Sequence, residues 1–256
     1  MTRSNQTKAK LKAGEMVLGC YLRHADPGLA EVLCHYGWDY ILFDAEHSPM
    51  TARDCEHMAR VCELREVTPI VRVPVNQPQT FGRFLDTGMQ GIQIPMVNSA
   101  EEAEAVVRAV KYYPLGSRGL AAARAADYGQ SQPFSIKDYT AHANAATVVI
   151  VQVETVAAME RLPDILKVPE VDVIFIGPTD LSHSLGLPGD FQHPRVQQAF
   201  DSITSAVLST DKALGILCHP DSVPHWKERG ARYIMVVLEA LLGPAVRNFL
   251  KSMRGA

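Results

Sequence analysis

Three ionisable side chains stand together where a strongly apolar segment of the chain ends. The apolar run 40–43 is followed by Asp44, Glu46 and His47, and then by a proline. Such a run is typical of a strand buried on both faces, where carboxylates are rarely buried without a partner. An imidazole beside carboxylates can act as a general base near neutral pH. The cluster predicts a functional site with His47 as the candidate base, and a surface histidine without a role is the alternative.

Two further carboxylates have the type and position of metal ligands. Gln152 and Glu154 end the apolar segment that begins at residue 147, and Asp180 follows the segment 171–176. Carboxylates without neighbouring cysteines suit a hard divalent cation that keeps positions open for water and substrate oxygens. We therefore predict Glu154 and Asp180 as metal ligands. The alternative is that each carboxylate caps a following helix, and for Asp180 alone the two interpretations have equal weight.

Arg72 lies inside the apolar segment 70–73, which is an unusual position for a guanidinium. It could stabilise a developing oxyanion or bind a substrate carboxylate. The alternative is a structural salt bridge with a carboxylate on another strand. His219, at the end of the seventh apolar segment, is a secondary candidate. Arg118, between two glycines in a long loop, could bind an anion or be solvated.

The composition restricts the class of protein that holds these residues. Apolar residues make up 47% of the 256 residues and charged residues 21%, which is ordinary for a globular protein. The net charge of −3 argues against nucleic acid or an anionic membrane as partner. No apolar run approaches the roughly 20 residues of a membrane span. Residues 1–12 are polar and basic, so they are interpreted as a short leading helix and not as a secretory signal.

The five cysteines are widely spaced and contain no Cys-x-x-Cys pair. This spacing indicates neither a zinc knuckle nor a disulfide framework. It favours reduced, buried thiols in a cytoplasmic protein.

Strand-like and helix-like segments alternate along the chain. The predicted strands are 17–22, 40–43, 69–73, 91–95, 147–153, 171–176, 213–218 and 231–237. The predicted helices are 27–36, 51–64, 78–86, 100–110, 157–166, 194–208, 222–229 and 244–253. Residues 112–146 form the longest irregular stretch, and loops of that length tend to be functional.

Alternating units of this kind predict a parallel sheet with helices outside it. Eight units in about 250 residues is the size of a closed (β/α)8 TIM barrel, whose chemistry lies at the carboxyl ends of the strands. We therefore predict an α/β fold, with a single (β/α)8-barrel domain over residues 1–256 and a short N-terminal helix. An open doubly wound sheet is the alternative, but no glycine-rich phosphate turn follows the first predicted strand.

Six short motifs occur in order on or after these segments. They are Asp44-Ala-Glu46-His47, Val71-Arg72-Val73-Pro74, Leu85-Asp86-Thr87-Gly88, Tyr113-Pro-Leu-Gly116-Ser-Arg118-Gly119, Gln152-Val153-Glu154 and Gly177-Pro178-Thr179-Asp180-Leu181. Together they resemble the HpcH/HpaI family of metal-dependent (class II) pyruvate aldolases, of the 4-hydroxy-2-oxoacid aldolase type. Each motif alone is weak, but the series covers nearly the whole chain and is specific.

The resemblance implies a metal and a substrate site. Glu154 and Asp180 would hold a divalent metal cation, which could be Mg²⁺, Mn²⁺ or Co²⁺. Pyruvate, or a close 2-oxoacid, would be bound by Arg72, Gln152, Asp180 and the segment Gly177-Pro178-Thr179. The small-molecule partners would be a 2-oxoacid and an aldehyde.

The resemblance also implies catalytic roles and an assembly. His47 would act as the base, through water, during cleavage of a 4-hydroxy-2-oxoacid. Arg72 would stabilise the enolate. Asp86 would raise the basicity of His47, with Asp44 as a second local partner. Members of the family form hexamers as trimers of dimers, so a homo-oligomer is expected.

The chain departs from the family pattern after its last strand. Relatives have a glycine and then an aspartate there, whereas this chain has Val237-Leu238-Glu239. In such barrels this segment lies near the substrate tail or a subunit contact, so the departure bears on acceptor specificity.

Three other functions are weighed against this one. The first is a lyase acting on a coenzyme A thioester, of the citrate-lyase β-subunit type. The second is a Schiff-base aldolase, which needs a lysine at a strand end that none of the eight strands supplies. The third is a non-catalytic metabolite-binding barrel.

Overall fold

Eight parallel strands follow one another around a closed barrel, and the last strand pairs with the first. In the computed structural model, which describes residues 4–254, the strands are β1 (Val17–Leu22), β2 (Tyr40–Asp44), β3 (Thr68–Arg72), β4 (Gly91–Ile94), β5 (Val148–Val153), β6 (Val173–Ile176), β7 (Ala213–Leu217) and β8 (Tyr233–Val237). Each lies within two residues of its predicted bounds. The predicted (β/α)8 barrel is therefore confirmed.

Helices connect the strands on the outside of the barrel. They are α1 (Gln6–Lys12), α2 (Pro27–Cys34), α3 (Ala52–Leu64), α4 (Pro78–Leu85), α5 (Ala100–Val110), α6 (Ile136–Ala146), α7 (Val156–Glu160), α8 (Leu162–Ile165), α9 (Pro178–Ser184), α10 (Pro194–Leu208), α11 (Val223–Glu228) and α12 (Leu238–Arg254), with 3₁₀ turns at Arg124–Gly129 and Pro220–Ser222. Within residues 4–254, none of the helices has the length and apolar character that a membrane-crossing segment requires.

The helix boundaries follow local capping chemistry. The Thr51 side chain accepts a hydrogen bond from the Asp54 N–H, and the Asp54 carboxylate accepts one from the Thr51 N–H. This reciprocal pair satisfies two backbone donors at the start of α3. The Ser99 side chain caps α5 by accepting the N–H of Glu102, whose carboxylate accepts the N–H of Asn98.

The helices differ from the sequence prediction in four places. Helix α9 was not predicted, and the predicted helix 157–166 is divided into α7 and α8. The stretch expected to be irregular contains α6, whose alanine-rich sequence lacks the apolar period that would have revealed it. The last helix begins at Leu238, directly after β8, and runs through Pro244. The prediction began this helix at Pro244 because proline is favoured in a first helical turn.

The interior of the barrel is filled by side chains below its carboxyl end. The Tyr40 and Tyr233 rings stack with centroids 4.3 Å apart, and Phe175 meets Tyr233 edge-on at 6.2 Å. A Cβ on Gly19 would lie 2.1 Å from the Tyr40 ring, so glycine is required for this packing. The interior is thus a packed core, and ligands have access only at its ends.

The leading helix α1 closes the amino-terminal end of the barrel. Its Leu11 side chain joins the interior core. The side chains of Asn5, Thr7 and Lys8 donate hydrogen bonds to groups that lie just before strands, namely Asp39, Gln90, Ala146, Thr147 and Asp172. Because one end is closed in this way, the carboxyl ends of the strands form the open mouth.

Replacing Lys8 by methionine should lower the free energy of unfolding by about 2 kcal/mol, because it removes a buried charge partner of Asp172. Lys8 Nζ lies 2.7 Å from the Thr147 carbonyl and 3.0 Å from Asp172 Oδ2. Urea unfolding measures the change. Lys12→Met, an exposed position on the same helix, is the control and should change stability by less than about 0.5 kcal/mol. Equal effects of the two substitutions would contradict the closing role of Lys8.

Candidate active site

The carboxyl ends of four strands bring most of the predicted site residues to the open mouth. Asp44 and Arg72 are the last residues of β2 and β3 and are register partners. Gln152 lies in β5, and Glu154 directly follows that strand. Asp180 lies in the first turn of α9, after β6. This placement is that of a barrel active site.

Asp44 and Arg72 form a buried ion pair that includes a tyrosine. Arg72 Nε donates to Asp44 Oδ1 at 2.7 Å, and Arg72 Nη2 donates to the Tyr21 hydroxyl at 2.6 Å. That hydroxyl donates in turn to Asp44 Oδ2 at 2.5 Å. The Asp44 carboxylate also accepts the backbone N–H groups of Glu46 and His47, both at 3.1 Å. Arg72 therefore forms the salt bridge that was the alternative interpretation, and this contact fixes the guanidinium at the mouth without deciding its role toward a substrate.

Burial and charge act in opposite directions on this pair. Burial alone would raise the pKa of Asp44, but the hydrogen bonds and charge of Arg72 bring it below its ordinary value. Burial alone would lower the pKa of Arg72, but Asp44 raises it well above its ordinary value. Both groups are therefore ionised across the physiological range.

Glu46 shares the other side of the same guanidinium. Its Oε2 lies 3.1 Å from Arg72 Nη1. Burial raises the pKa of Glu46, and the negative charges of Asp44 and Asp180 add to this rise while Arg72 opposes it. Glu46 thus faces both the arginine and a predicted metal ligand, a connection that the sequence did not indicate.

Glu154 is held at the mouth by donors to both of its oxygens. Oε1 accepts the backbone N–H of Met96 at 2.7 Å, and Oε2 accepts from Gln152 Nε2 at 2.6 Å. Gln152 is itself bonded to the buried Gln93. A Cβ on Gly177 would lie 2.5 Å from Glu154 Oε2, so only glycine lets the chain after β6 pass this carboxyl.

The ionisation of Glu154 is strongly perturbed. Its side chain is 3% exposed, and burial raises its pKa to about 7, with further contributions from the charges of Asp180 and Glu46. Burial and neighbouring negative charge thus disfavour the ionised forms of Glu154 and Glu46, which a divalent cation would stabilise.

The donor set fits such a cation. Glu154 and Asp180 offer hard oxygen ligands, and cations such as Mg²⁺ are held by one or two carboxylates with waters and substrate completing the shell. Within residues 4–254, no group of three or more histidine, cysteine, aspartate or glutamate side chains is arranged to hold a metal by itself. A metal held by the two carboxylates alone would have positions left for water and substrate oxygens.

His47 lies at the mouth without a side-chain partner. It is exposed, and its ring forms no hydrogen bond with any residue in the range 4–254. The contact of His47 with Asp44 is through the His47 backbone N–H and not through the imidazole. Asp44 therefore orients the backbone at this position, whereas the sequence predicted that it pairs with the His47 side chain.

Asp86 lies at the other end of the barrel. It follows α4, which runs from the mouth back toward the start of β4, and its carboxylate accepts from Arg118 Nη2 at 2.7 Å. Within one chain the predicted partnership of Asp86 and His47 therefore does not form. The motif did not indicate this position of Asp86. Its Leu-Asp-x-Gly sequence is typical of a helix end, whereas the other predicted site residues follow strands.

The two secondary candidates have structural partners. The Arg118 guanidinium also stacks over the Tyr112 ring at 4.7 Å, again at the amino-terminal end. His219 Nδ1 accepts the Asp221 N–H at 3.4 Å, which caps the 3₁₀ turn after β7. Neither contact assigns a catalytic role.

Sequence reasoning missed Tyr21, Gln93 and Met96. Tyr21 lies in an apolar segment, and its inward position in the strand was the one available signal. Gln93 is a fully buried amide in β4, a type of residue that requires a hydrogen-bond partner. Met96 acts through its backbone N–H, which no side-chain pattern reveals, and its φ of 55° is a conformation that few non-glycine residues adopt.

A Schiff-base mechanism requires a lysine with a lowered pKa, and judged by its pKa alone the buried Lys111 would qualify. Burial, with the charge of Lys8, lowers its pKa to about 8. Its Nζ, however, donates to the carbonyls of Asn144 and Thr147 at the amino-terminal end of the barrel. It is therefore remote from the mouth.

Comparison with known proteins gives one consistent result. The sequence profile of the HpcH/HpaI aldolase/citrate lyase family matches residues 17–234. The hydroxypyruvate/pyruvate aldolase of Roseovarius nubinhibens is 36% identical over 253 residues, covering 98% of this chain and 97% of that protein. The 2-keto-3-deoxy-L-rhamnonate aldolase of Escherichia coli K12 is 36% identical over 242 residues, covering 93% and 89%.

A solved structure agrees with these sequence relationships. The HpcH/HpaI aldolase/citrate lyase family protein of Burkholderia cenocepacia superimposes with a TM-score of 0.92 at 32% identity, covering 98% of this chain and 100% of that chain.

Mn²⁺ binding should strengthen as the pH rises from 5 to about 7 and then level off. The cation requires the Glu154 carboxylate, whose pKa is about 7. Each pH unit below 7 should weaken binding about tenfold, because one proton must be released. Titration calorimetry at several pH values measures this dependence, and an affinity that does not change between pH 5 and 7 would contradict it.

The same pKa gives a control in the metal-free protein. The unfolded carboxyl releases its proton near its ordinary pKa of 4.5 and the folded one near 7. The folded state therefore holds the extra proton in this window, and the contribution of Glu154 to the free energy of unfolding falls as the pH rises from 4.5 to 7. Glu154→Gln should remove this contribution.

Proposed function

The chain belongs to the HpcH/HpaI aldolase/citrate lyase family, and we propose that it catalyses the reversible, divalent-metal-dependent aldol cleavage of a 4-hydroxy-2-oxoacid. The products are pyruvate, or a close 2-oxoacid, and an aldehyde. The related proteins named as aldolases act as carbon–carbon lyases, which supports this class of reaction. The observation that carries the proposal is the buried Glu154 carboxyl, with its pKa of about 7, facing Asp180 and Glu46 at the barrel mouth.

Glu154 and Asp180 would hold the cation, for which Mg²⁺, Mn²⁺ and Co²⁺ are the proposed candidates. When bound, it supplies Lewis-acid stabilisation of negative charge on the oxygens of the substrate. Gln152 keeps the Glu154 carboxylate oriented through its 2.6 Å hydrogen bond. The segment Gly177-Pro178-Thr179 is the proposed contact for the 2-oxoacid carboxylate, next to Asp180.

Arg72 would stabilise the enolate that forms when the carbon–carbon bond breaks. A fixed cation is effective because it does not reorganise as charge develops. Asp44 and Tyr21 supply that fixation, through hydrogen bonds of 2.7 Å and 2.6 Å to the guanidinium. The remaining Nη1 side, now 3.1 Å from Glu46, faces the mouth carboxylates and is the side available to substrate.

His47 is the proposed base, acting through water on the 4-hydroxyl group. Its exposed ring, which forms no hydrogen bond within residues 4–254, is accessible to solvent for proton exchange. Asp86 could raise the basicity of His47 only from a second copy of the chain, because within one chain the two residues belong to opposite ends of the barrel.

We therefore also propose a homo-oligomer, with the hexamer of the family as the expected form, in the cytoplasm. One side of α12 carries exposed apolar residues that association would cover, namely Leu242, Val246, Phe249 and Met253. The five cysteines are free thiols, which fits a reducing compartment.

Asp180→Asn should reduce metal-dependent cleavage at least 100-fold, because it removes one of two charged ligands. Substrates are prepared from pyruvate or hydroxypyruvate with a panel of aldehydes, with and without Mn²⁺. Pyruvate release is followed with lactate dehydrogenase. Asp190→Asn, the same charge change at an exposed position after α9, is the control. Full activity of Asp180→Asn after removal of metal from the protein stock would refute the metal assignment.

His47→Ala should slow the exchange of the pyruvate methyl protons in deuterated water by about 100-fold, because a general base contributes roughly that factor. Nuclear magnetic resonance follows the exchange directly, without an aldehyde present. His57→Ala, at an exposed position on α3, is the control. Unchanged exchange in His47→Ala would exclude His47 as the base and leave the metal assignment intact.

A further inference from the structure

The ends of strands β7, β8 and β1 hold none of the proposed metal ligands or 2-oxoacid contacts. The proposed metal and 2-oxoacid site uses the ends of β2, β3, β5 and β6, and the segment after β4 contributes the Met96 N–H that holds Glu154. An aldehyde that reacts with the bound 2-oxoacid must therefore enter from the remaining arc. We define the acceptor arc as residues 23–26, 218–222 and 238–240, which follow these three strands.

A charged cluster occupies this arc. Glu239 Oε1 lies 3.0 Å from Arg23 Nη2 and 3.3 Å from His24 Nε2. The cluster joins the ends of β1 and β8, because Arg23 and His24 follow β1 and Glu239 lies in the first turn of α12. The three side chains are 39% to 56% exposed, so a small molecule at the mouth can reach them.

The cluster is connected to the proposed enolate site through one aromatic ring. The Arg23 guanidinium lies 6.0 Å from the centre of the Tyr21 ring, and the Arg72 guanidinium lies 5.3 Å from the same centre. Tyr21 also donates to Asp44. One aromatic ring therefore separates the cluster from Arg72, so a molecule that extends from Arg72 past Tyr21 would reach the cluster.

The charges of the cluster determine which aldehydes fit. Arg23 carries the only permanent positive charge within the acceptor arc, and alone it would attract a carboxylated aldehyde. Glu239 neutralises that charge and would repel a carboxylate. A hydroxyl group has no net charge, can accept from the N–H groups of Arg23 that Glu239 does not use, and can donate to a carboxylate oxygen.

Glu239 has capacity for such a donor. Its Oε1 contacts both Arg23 and His24. Its Oε2 has no side-chain or backbone hydrogen-bond partner within residues 4–254 and is shielded from solvent. A small rotation of the carboxylate would present this oxygen to a hydroxyl group. The exposed ion pair opposes such a rotation only weakly.

We infer that Arg23, His24 and Glu239 form the acceptor subsite and select neutral, hydroxylated aldehydes over carboxylated ones. This inference rests on the proposed aldolase function and specifies its substrate class. It also gives a role to Glu239, the residue at which the chain departs from the family pattern.

The test measures a ratio, so that a general loss of activity cancels. Condensation with pyruvate is assayed with glyceraldehyde, a neutral hydroxylated acceptor, and with succinic semialdehyde, an anionic one. The quantity compared is kcat/KM for succinic semialdehyde divided by kcat/KM for glyceraldehyde. Glu239→Gln should raise this ratio about tenfold, because it frees the charge of Arg23.

Arg23→Gln should change the same ratio in the opposite direction, because Glu239 is then left without its main cation. The double variant should return the ratio to within about threefold of the wild-type value. Asp221→Asn is the matched control: it makes the same charge change on the acceptor arc, at an exposed carboxylate beside His219. It should change the ratio less than twofold.

The outcomes separate this inference from the proposed function. A wild-type enzyme that condenses pyruvate with aldehydes but whose ratio is unchanged in Glu239→Gln would overturn the inference alone. An equal shift of the ratio in Asp221→Asn would also overturn it, since the shift would then come from the overall electrostatic field at the mouth and not from Glu239. A wild-type enzyme that neither exchanges pyruvate protons nor condenses any aldehyde would overturn both.

Discussion

The buried ion pair between Asp44 and Arg72 is the interaction on which the mouth of the barrel depends. It joins the ends of β2 and β3, and through the Tyr21 hydroxyl it includes the end of β1. Removing one partner of such a pair typically costs about 3–5 kcal/mol, since the other charge remains buried. The Asp44 carboxylate also fixes the backbone at Glu46 and His47. One carboxylate thus determines where the arginine, the glutamate and the histidine lie.

The charge balance of the mouth follows from this pair. Arg72 offsets Asp44 and part of Glu46, and within residues 4–254 Glu154 and Asp180 form no salt bridge with a cationic side chain. The pKa of Glu154 is accordingly raised to about 7, so its carboxyl is mostly protonated below that pH. A divalent cation would displace that proton and balance the remaining charge. Burial, which makes the carboxyl hard to ionise alone, would thereby favour the binding of a cation over a free charged carboxylate.

The sequence predicted the barrel well because all eight strands are short apolar segments, and each was located within two residues. It also located Asp44, Arg72, Glu154 and Asp180 at strand ends. It could not reveal Tyr21, which looks like an ordinary apolar strand residue, or the N–H of Met96. It missed α6 because alanine-rich helices have no apolar period. Contacts between distant segments are set by the closure of the barrel, which no local pattern contains.

The position of a residue in the barrel also distinguishes functional from structural groups whose pKa shifts are alike. Lys111 and Glu154 are both buried, and the pKa values of both are shifted toward neutrality. Glu154 follows a strand and reaches the mouth, whereas Lys111 follows a helix and is enclosed by carbonyl groups at the closed end. Asp86 belongs to the same end for the same reason. A perturbed pKa indicates a catalytic group only where a substrate can also reach it. In this barrel the leading helix closes the amino-terminal end, so a substrate has access only at the carboxyl ends of the strands.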